Sequence, residues 1–219
     1  MKKITIALDG PSGSGKSTIA KALSQKLNIL YLDTGAMYRA TALKTLSLGI
    51  DTFDAEGVKT FIDDINLKIK YVDGAQRTFL DDKDVSEEIR LPHVSMAASN
   101  VSSLKPVRLK MVDMQRKIAS EMSCVLDGRD IGSYVLPNAD FKFYITASVK
   151  VRTDRRYKEL TEKGHDINYQ ELMNEIEQRD FNDRNRDFAP LKKADDAIEI
   201  DTSDMTIEEV INKVLSIVG

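Results

Sequence analysis

The chain has one cysteine, Cys124, two histidines and no tryptophan among 219 residues. A lone cysteine excludes an intrachain disulfide and suits a reducing compartment, so a cytoplasmic protein is expected. Two histidines, His93 and His165, and one cysteine give no ligand cluster for a structural zinc ion. No apolar stretch approaches the ~20 residues that span a bilayer. The opening MKKITIAL is interrupted by Asp9-Gly10 before it reaches the length of a signal-peptide core. No membrane partner is expected. Positive charge is not in excess either. The net charge is −3, which argues against nucleic acid as a main partner. There is no internal repeat, low-complexity tract or heptad seam, and a monomer is expected.

What is present is an ordinary soluble balance: 42% hydrophobic and 31% charged residues, enough for one real core. Nine residues stand out within it. GPSGSGKST, residues 10–18, directly follows the apolar run Ile4–Leu8 and precedes a helical pattern over Lys16–Leu27. Gly10-x4-Gly15-Lys16-Ser17 fits the phosphate-loop pattern, in the strand-before, helix-after context that gives the pattern its meaning. Glycines let backbone N–H groups turn inward around an anion, and the helix start points its positive end at the phosphates. The ATP-binding set is therefore Gly10, Pro11, Ser12, Gly13, Ser14, Gly15, Lys16, Ser17 and Thr18. Lys16 is expected to reach the β- and γ-phosphates, and the Ser17 hydroxyl to ligate Mg²⁺. A GTPase switch is disfavoured. The only Asn-Lys, Asn212-Lys213, lacks the Asp that would read guanine, and Asp54-Ala55-Glu56-Gly57 follows no apolar strand.

Along the rest of the chain, short apolar runs alternate with helical periods. Strands are expected at 28–32, 123–126, 141–145 and 197–200. Helices are expected at 36–48, 91–100, 106–122, 148–163, 169–186 and 205–218. Residues 65–90 differ. Ile65, Leu67, Ile69 and Tyr71 alternate with polar residues, Asp73-Gly74 signals a hairpin, and Thr78–Leu80 can return as the partner strand. The fold class that follows is α/β: a mostly parallel sheet with helices on both faces and a small antiparallel insertion.

Charge clusters follow two of these strands. Asp33-Thr34-Gly35-Ala36-Met37-Tyr38-Arg39 comes after the second strand, and Asp127-Gly128-Arg129-Asp130 after the third. In an open α/β sheet the ligand site forms beyond the strand C-termini. On the late helix, Arg179, Asp183 and Arg186 share one face at i, i+4 and i+7, and Arg152, Arg155 and Arg156 stand together one helix earlier. Such helices are often only solvated faces. Beside a phosphate loop, though, an arginine surplus suits phosphoryl transfer to an acceptor that is itself anionic.

The phosphate loop, DTGAMYRA (33–40), AASNVSSLKPVR (97–108), LDGRDIG (126–132) and RDFNDRNRDFAPL (179–191) together resemble the bacterial cytidylate kinases over nearly the whole chain. The resemblance implies a three-layer P-loop kinase fold on a parallel five-stranded sheet. Its core would cover about 1–35, 91–150 and 187–219. A monophosphate-binding subdomain with the insertion would cover about 36–90, and a short helical lid about 151–186. The implied reaction takes ATP with Mg²⁺ and CMP or dCMP to ADP and CDP or dCDP. The resemblance places Thr34, Ser99, Arg108 and Asp130 at the cytosine, and Arg39, Arg129 and Arg186 at the acceptor phosphate. It places Arg179 and Asp183 at the sugar hydroxyls, and Arg152, Arg155 and Arg156 in the lid, with Arg152 and Arg156 among the catalytic groups beside Lys16. Asp127 would hold Mg²⁺ through water. Thr34 stands where some members carry Ser, which keeps the hydroxyl. The competing readings are another small P-loop kinase, of uridylate or shikimate type, and a non-catalytic nucleotide-binding regulator.

Overall fold

The computed structural model describes residues 3–72 and 75–219. Eight strands and eight α-helices follow in the order β1 (Thr5–Asp9), α1 (Lys16–Leu27), β2 (Leu30–Asp33), α2 (Thr34–Ser47), α3 (Ala55–Ile62), β3 (Leu67–Val72), β4 (Ala75–Leu80), β5 (Lys83–Asp84), α4 (Pro92–Val101), α5 (Lys105–Glu121), β6 (Cys124–Gly128), β7 (Phe141–Thr146), α6 (Val149–Glu162), α7 (Tyr169–Asn185), β8 (Ile198–Asp201) and α8 (Ile207–Val218). One sheet has the order β2-β6-β1-β7-β8, and β1 runs parallel to both β6 and β7. The other is the three-stranded antiparallel β3-β4-β5.

Packing divides the chain into two compact units: residues up to Tyr31 with Ser123–Gly219, and Leu32–Met122. The first unit carries the core. Ile6 and Leu8 of β1, Val125 of β6, Phe143 and Ile145 of β7 and Ile200 of β8 are buried against Ile19 and Leu23 of α1 and Val210 and Val214 of α8. These strands read as continuous apolar runs because helices cover the sheet. A side chain such as Leu8, fully buried, contributes roughly 1.5–3 kcal/mol. α8 starts at a capping box in which Thr206 accepts from the Glu209 N–H and Glu209 reaches back to the Thr206 N–H. That fixes the start of the last helix at Thr206, within a residue of the expected 205.

In the second unit α2 lies against α4, and α3 against α5. α4 and α5 thus belong with this unit, whereas the division expected from the resemblance assigned them to the core. Here the sequence reading also missed a helix. Asp54 accepts from the N–H groups of Glu56 and Gly57 and starts α3. The residues that resembled a switch motif are therefore a helix cap. In the antiparallel sheet, Leu67 pairs with Leu80 and Ile69 with Thr78, leaving Lys68 and Lys70 outward. The expected hairpin residues Asp73-Gly74 lie outside the described residues. β5, only two residues long, was below the resolution of any periodicity argument.

Candidate active site

In the first unit, β1 ends at Asp9 and the chain turns through the phosphate loop into α1. Three glycines there have positive φ, and at Gly10 no other residue fits. Gly10 has φ +144, and a Cβ on it would sit 1.9 Å from the Ile145 carbonyl oxygen. Gly13 has φ +76. Gly15, also left-handed at φ 90, caps α1. Lys16 folds back over the loop, its Nζ donating to the Pro11 carbonyl at 2.6 Å and to Ser14 Oγ at 3.2 Å, while Ser14 Oγ donates to the same carbonyl. Lys16 is only 5% exposed. Burial, with Arg129 adding repulsion, pulls its pKa down to about 7 against the pull of Asp127, Asp9 and Asp183. An anion beside it would restore its charge.

β6 delivers the next cluster. Asp127, buried at its end, accepts from Ser17 Oγ at 2.7 Å and from the Tyr31 hydroxyl at 3.0 Å. Arg129 Nε donates to Asp183 on α7 at 2.7 Å. Arg186, just past α7, bonds Asp130 at 3.1 Å and the Ala189 carbonyl at 2.6 Å. Burial opposes the charge on Asp183, but Arg129, then Arg186 and Arg179, outweigh it and hold its carboxyl below the ordinary range. The structure therefore brings Lys16, Ser17, Asp127, Arg129, Asp130, Asp183 and Arg186 into one charged network around the phosphate loop. Arg179, on α7, lies 4.0 Å from Glu175. Thr18 is exposed on the first turn of α1.

The three arginines of α6 that the resemblance placed in a lid do different things. Arg156 is half-exposed and pairs with Glu159 at 2.7 Å. Arg155 donates to the hydroxyl and carbonyl of Thr202, after β8. Arg152 is 2% exposed and donates to the carbonyls of Ser12 and Ala147 and to Asp180.

The second unit holds the other expected residues. Asp33 caps α2, accepting from the Ala36 N–H, and pairs with Arg39 at 3.0 Å and Arg90 at 2.7 Å. Burial pushes its carboxyl up, but the two arginines and the cap bond prevail and hold it low. Thr34 is buried on the first turn of α2. Arg108, on α5, is 1% exposed, with its guanidinium 5.5 Å from the centre of the Tyr38 ring. Ser99 is half-buried on α4, which packs on α2.

Sequence reasoning missed Asp9. It is buried and accepts from the N–H groups of Ile131 and Gly132, both at 2.7 Å. Those amides open a π-helical turn, Ile131–Val135, directly after Asp130. Burial pushes the Asp9 carboxyl up to about 7, against the pull of the two backbone bonds. Its signal was a charged residue ending a buried strand, which reads equally well as a strand terminator.

A family model described as cytidylate kinase matches residues 6–219. The chain belongs to the cytidylate kinase family. It is 50% identical to a cytidylate kinase of Caldicellulosiruptor saccharolyticus over 99% of this chain and 96% of that one. It is 49% identical to that of Clostridioides difficile, covering 99% and 98%. For Clostridium botulinum the figures are 45%, 100% and 99%. Among solved structures, the shikimate kinase of Bacteroides thetaiotaomicron matches with a TM-score of 0.51 at 14% identity, covering 98% of both chains. That of Acinetobacter baumannii gives 0.50 at 14%, covering 99% and 93%. These two establish the P-loop kinase fold, as expected from the sequence. They say nothing of the acceptor. Among the described residues, no helix is long and apolar enough to cross a membrane.

Proposed function

We propose that the enzyme transfers the γ-phosphoryl group of ATP to CMP and dCMP, giving CDP and dCDP. Family membership supports this. The observation that carries it is the network in the first unit, where Lys16 lies buried in a phosphate loop beside Asp127, Arg129 and the charged face of α7. A nucleotide monophosphate is already an anionic nucleophile, so no side-chain base is required, and catalysis becomes positioning plus charge stabilisation. Lys16 holds the β- and γ-phosphates. Arg39, Arg129 and Arg186 align the acceptor phosphate, which competes with Asp33 for Arg39, with Asp183 for Arg129 and with Asp130 for Arg186. Arg156 joins from the lid, about 151–186, whose closure excludes water from the transferring group.

Magnesium fits the residues present. Ser17 Oγ and the Asp127 carboxylate are hard oxygen donors 2.7 Å apart beside the phosphate loop. Among the described residues no group of three or more acidic, His or Cys side chains could hold a metal. Mg²⁺ shared with nucleotide phosphates needs no such cage. The Ser17 hydroxyl would bind it directly and Asp127 through water. The ion would supply charge neutralisation across the β- and γ-phosphates.

Thr34, Ser99, Arg108 and Asp130 are assigned to the cytosine, and Arg179 and Asp183 to the sugar hydroxyls. A carboxylate accepts from the cytosine amino group, and Arg and hydroxyl groups donate to its ring acceptors. Uracil reverses part of that pattern. The test is ADP release from MgATP with CMP, dCMP, UMP, AMP, GMP and shikimate. Turnover confined to CMP and dCMP is expected. Turnover with another acceptor would retain the kinase and overturn the base assignments. ATP binding with no acceptor-dependent turnover would make the protein a regulator.

A further inference from the structure

Arg152 makes three bonds from a nearly sealed position. Its Nε donates to the Ala147 carbonyl at 2.9 Å, one terminal nitrogen to the Ser12 carbonyl at 3.0 Å, and the other to Asp180 at 2.6 Å. Arg152 and Asp180 expose 2% and 5% of their side chains. The other oxygen of Asp180 is buried and has no hydrogen-bond partner among the described residues, so Arg152 carries its compensation. A buried ion pair of this kind is a weak source of stability, and apolar residues of similar volume often serve as well. Its placement therefore asks for another reason.

The Ser12 carbonyl supplies one. In a trans peptide the C=O and the following N–H point in opposite directions within one rigid plane. Every peptide in the described chain is trans. Fixing the Ser12 carbonyl against Arg152 thus fixes the Gly13 N–H on the opposite side. Gly13 is in the left-handed region, and a Cβ on it would lie 3.3 Å from Arg152 Cβ, so the loop backbone rests on this side chain. Arg is suited to the task, because its planar fork reaches three acceptors at once and stays charged. Asp180 orients the fork. It lies on α7 between Arg179 and Asp183, which ties the phosphate loop to the helix assigned to the acceptor.

We propose that Arg152, oriented by Asp180, is a positioning residue that holds the Ser12–Gly13 peptide so that the phosphate-loop amides face the nucleotide phosphates. This rests on reading residues 10–18 as the ATP site. Arg152 acts through the loop, without touching the transferring group.

Initial rates at varied ATP and varied CMP, with thermal melting of the same samples, test it in Arg152→Lys and Asp180→Asn. Lysine keeps the charge but cannot span three acceptors. Because a misplaced loop can cost far more than its distance from the chemistry suggests, KM for ATP is expected to rise about tenfold in R152K and less in D180N. KM for CMP should change by under about threefold and kcat less than KM for ATP. A lowered melting temperature with both KM values unchanged would reduce the pair to a structural role and overturn the proposal. A fall in kcat with KM for ATP unchanged would overturn it the other way, placing Arg152 at the transition state. Should R152K not fold, the same split must appear in D180N, and its absence there is decisive against the proposal. Lys16→Ala is the control for the underlying reading. If K16A keeps wild-type kcat and KM for ATP, the loop assignment itself fails. If K16A is crippled while R152K and D180N keep their ATP affinity, only the role of Arg152 fails.

Discussion

Arg186 and Asp130 expose 6% of each side chain, whereas Lys59 and Glu56 on α3 expose 53% and 80%, although both couples are in hydrogen-bonding contact. In sequence the two look alike, as opposite charges in a charged neighbourhood. In energy they differ. The exposed pair gives up little hydration and gains little. The buried pair loses hydration on both charges and recovers it through close hydrogen bonds, to each other and, for Arg186, to the Ala189 carbonyl. The charges buried around the phosphate loop are those proposed to carry the chemistry, and the charges of α3 face solvent. Burial, which the sequence does not print, separates them.

The sharpest break of the comparison is Lys16→Ala. Its ammonium is buried among Asp9, Asp127, Asp183 and Arg129, and no exposed lysine of α3 can stand in for it. Loss of kcat by about 10²–10³-fold or more is expected, the cost of removing one preorganised stabiliser of transition-state charge. Steady-state ADP release, with circular dichroism to show the fold intact, checks it. Turnover within a few-fold of wild type would mean that the buried network is not the reaction centre.

Asp183→Asn tests the stability side. Arg129 would keep its burial and lose its closest partner, at a cost of about 2 kcal/mol at neutral pH. The sign of the pH dependence follows from the lowered carboxyl. The folded state binds the proton more weakly than the unfolded state. The contribution is therefore present above the ordinary value of 3.8 and is lost as pH falls through the folded value below it. Denaturant titrations stepped downward from pH 7 should show wild type and variant converging only below about pH 4. A gap that stays constant to pH 3 would mean that Asp183 is not held low by its arginines.

Arg108 and Asp130 sharpen the comparison inside the buried class. Arg108→Met or Asp130→Ala should narrow the CMP/UMP preference about tenfold, because a group that reads one base is left unpaired against the other. If both variants keep the wild-type ratio of kcat/KM, these side chains do not read the base.

Much of this was legible because backbone constraints write themselves into residue types. The phosphate loop needs glycine at 10 and 13, and α1 carries its apolar period through Ile19, Ala20 and Leu23, so the loop and helix could be placed to the residue. α2, α4 and α5 differed from expectation by two residues or fewer at each end. What was missed was local chemistry with two readings. Asp54, set aside as a switch residue for want of a preceding strand, was given no other role and is a helix cap. Asp9 looked like a strand terminator and holds two amides beside Asp130. Arg152 and Arg156 looked equivalent, four residues apart on one helix. One is sealed against the phosphate loop and the other stands at 41% side-chain exposure. Helical periodicity says which residues share a face, but the depth of that face is set by what packs on it, here α7.

Lys59→Ala is the smallest effect and tests the other half of the comparison. The pair with Glu56 is an i, i+3 contact at 2.5 Å on a helix already started by the Asp54 cap and anchored by the buried Val58 and Ile62. Holding two long side chains in one geometry costs entropy that offsets most of the Coulomb gain in water. The melting temperature should move by less than about 2 °C, and raising the salt concentration should erase even that difference. Activity should not change. A shift of several degrees would show that exposure alone does not separate idle charge from useful charge. The ranking of buried over exposed pairs would then have to be argued pair by pair.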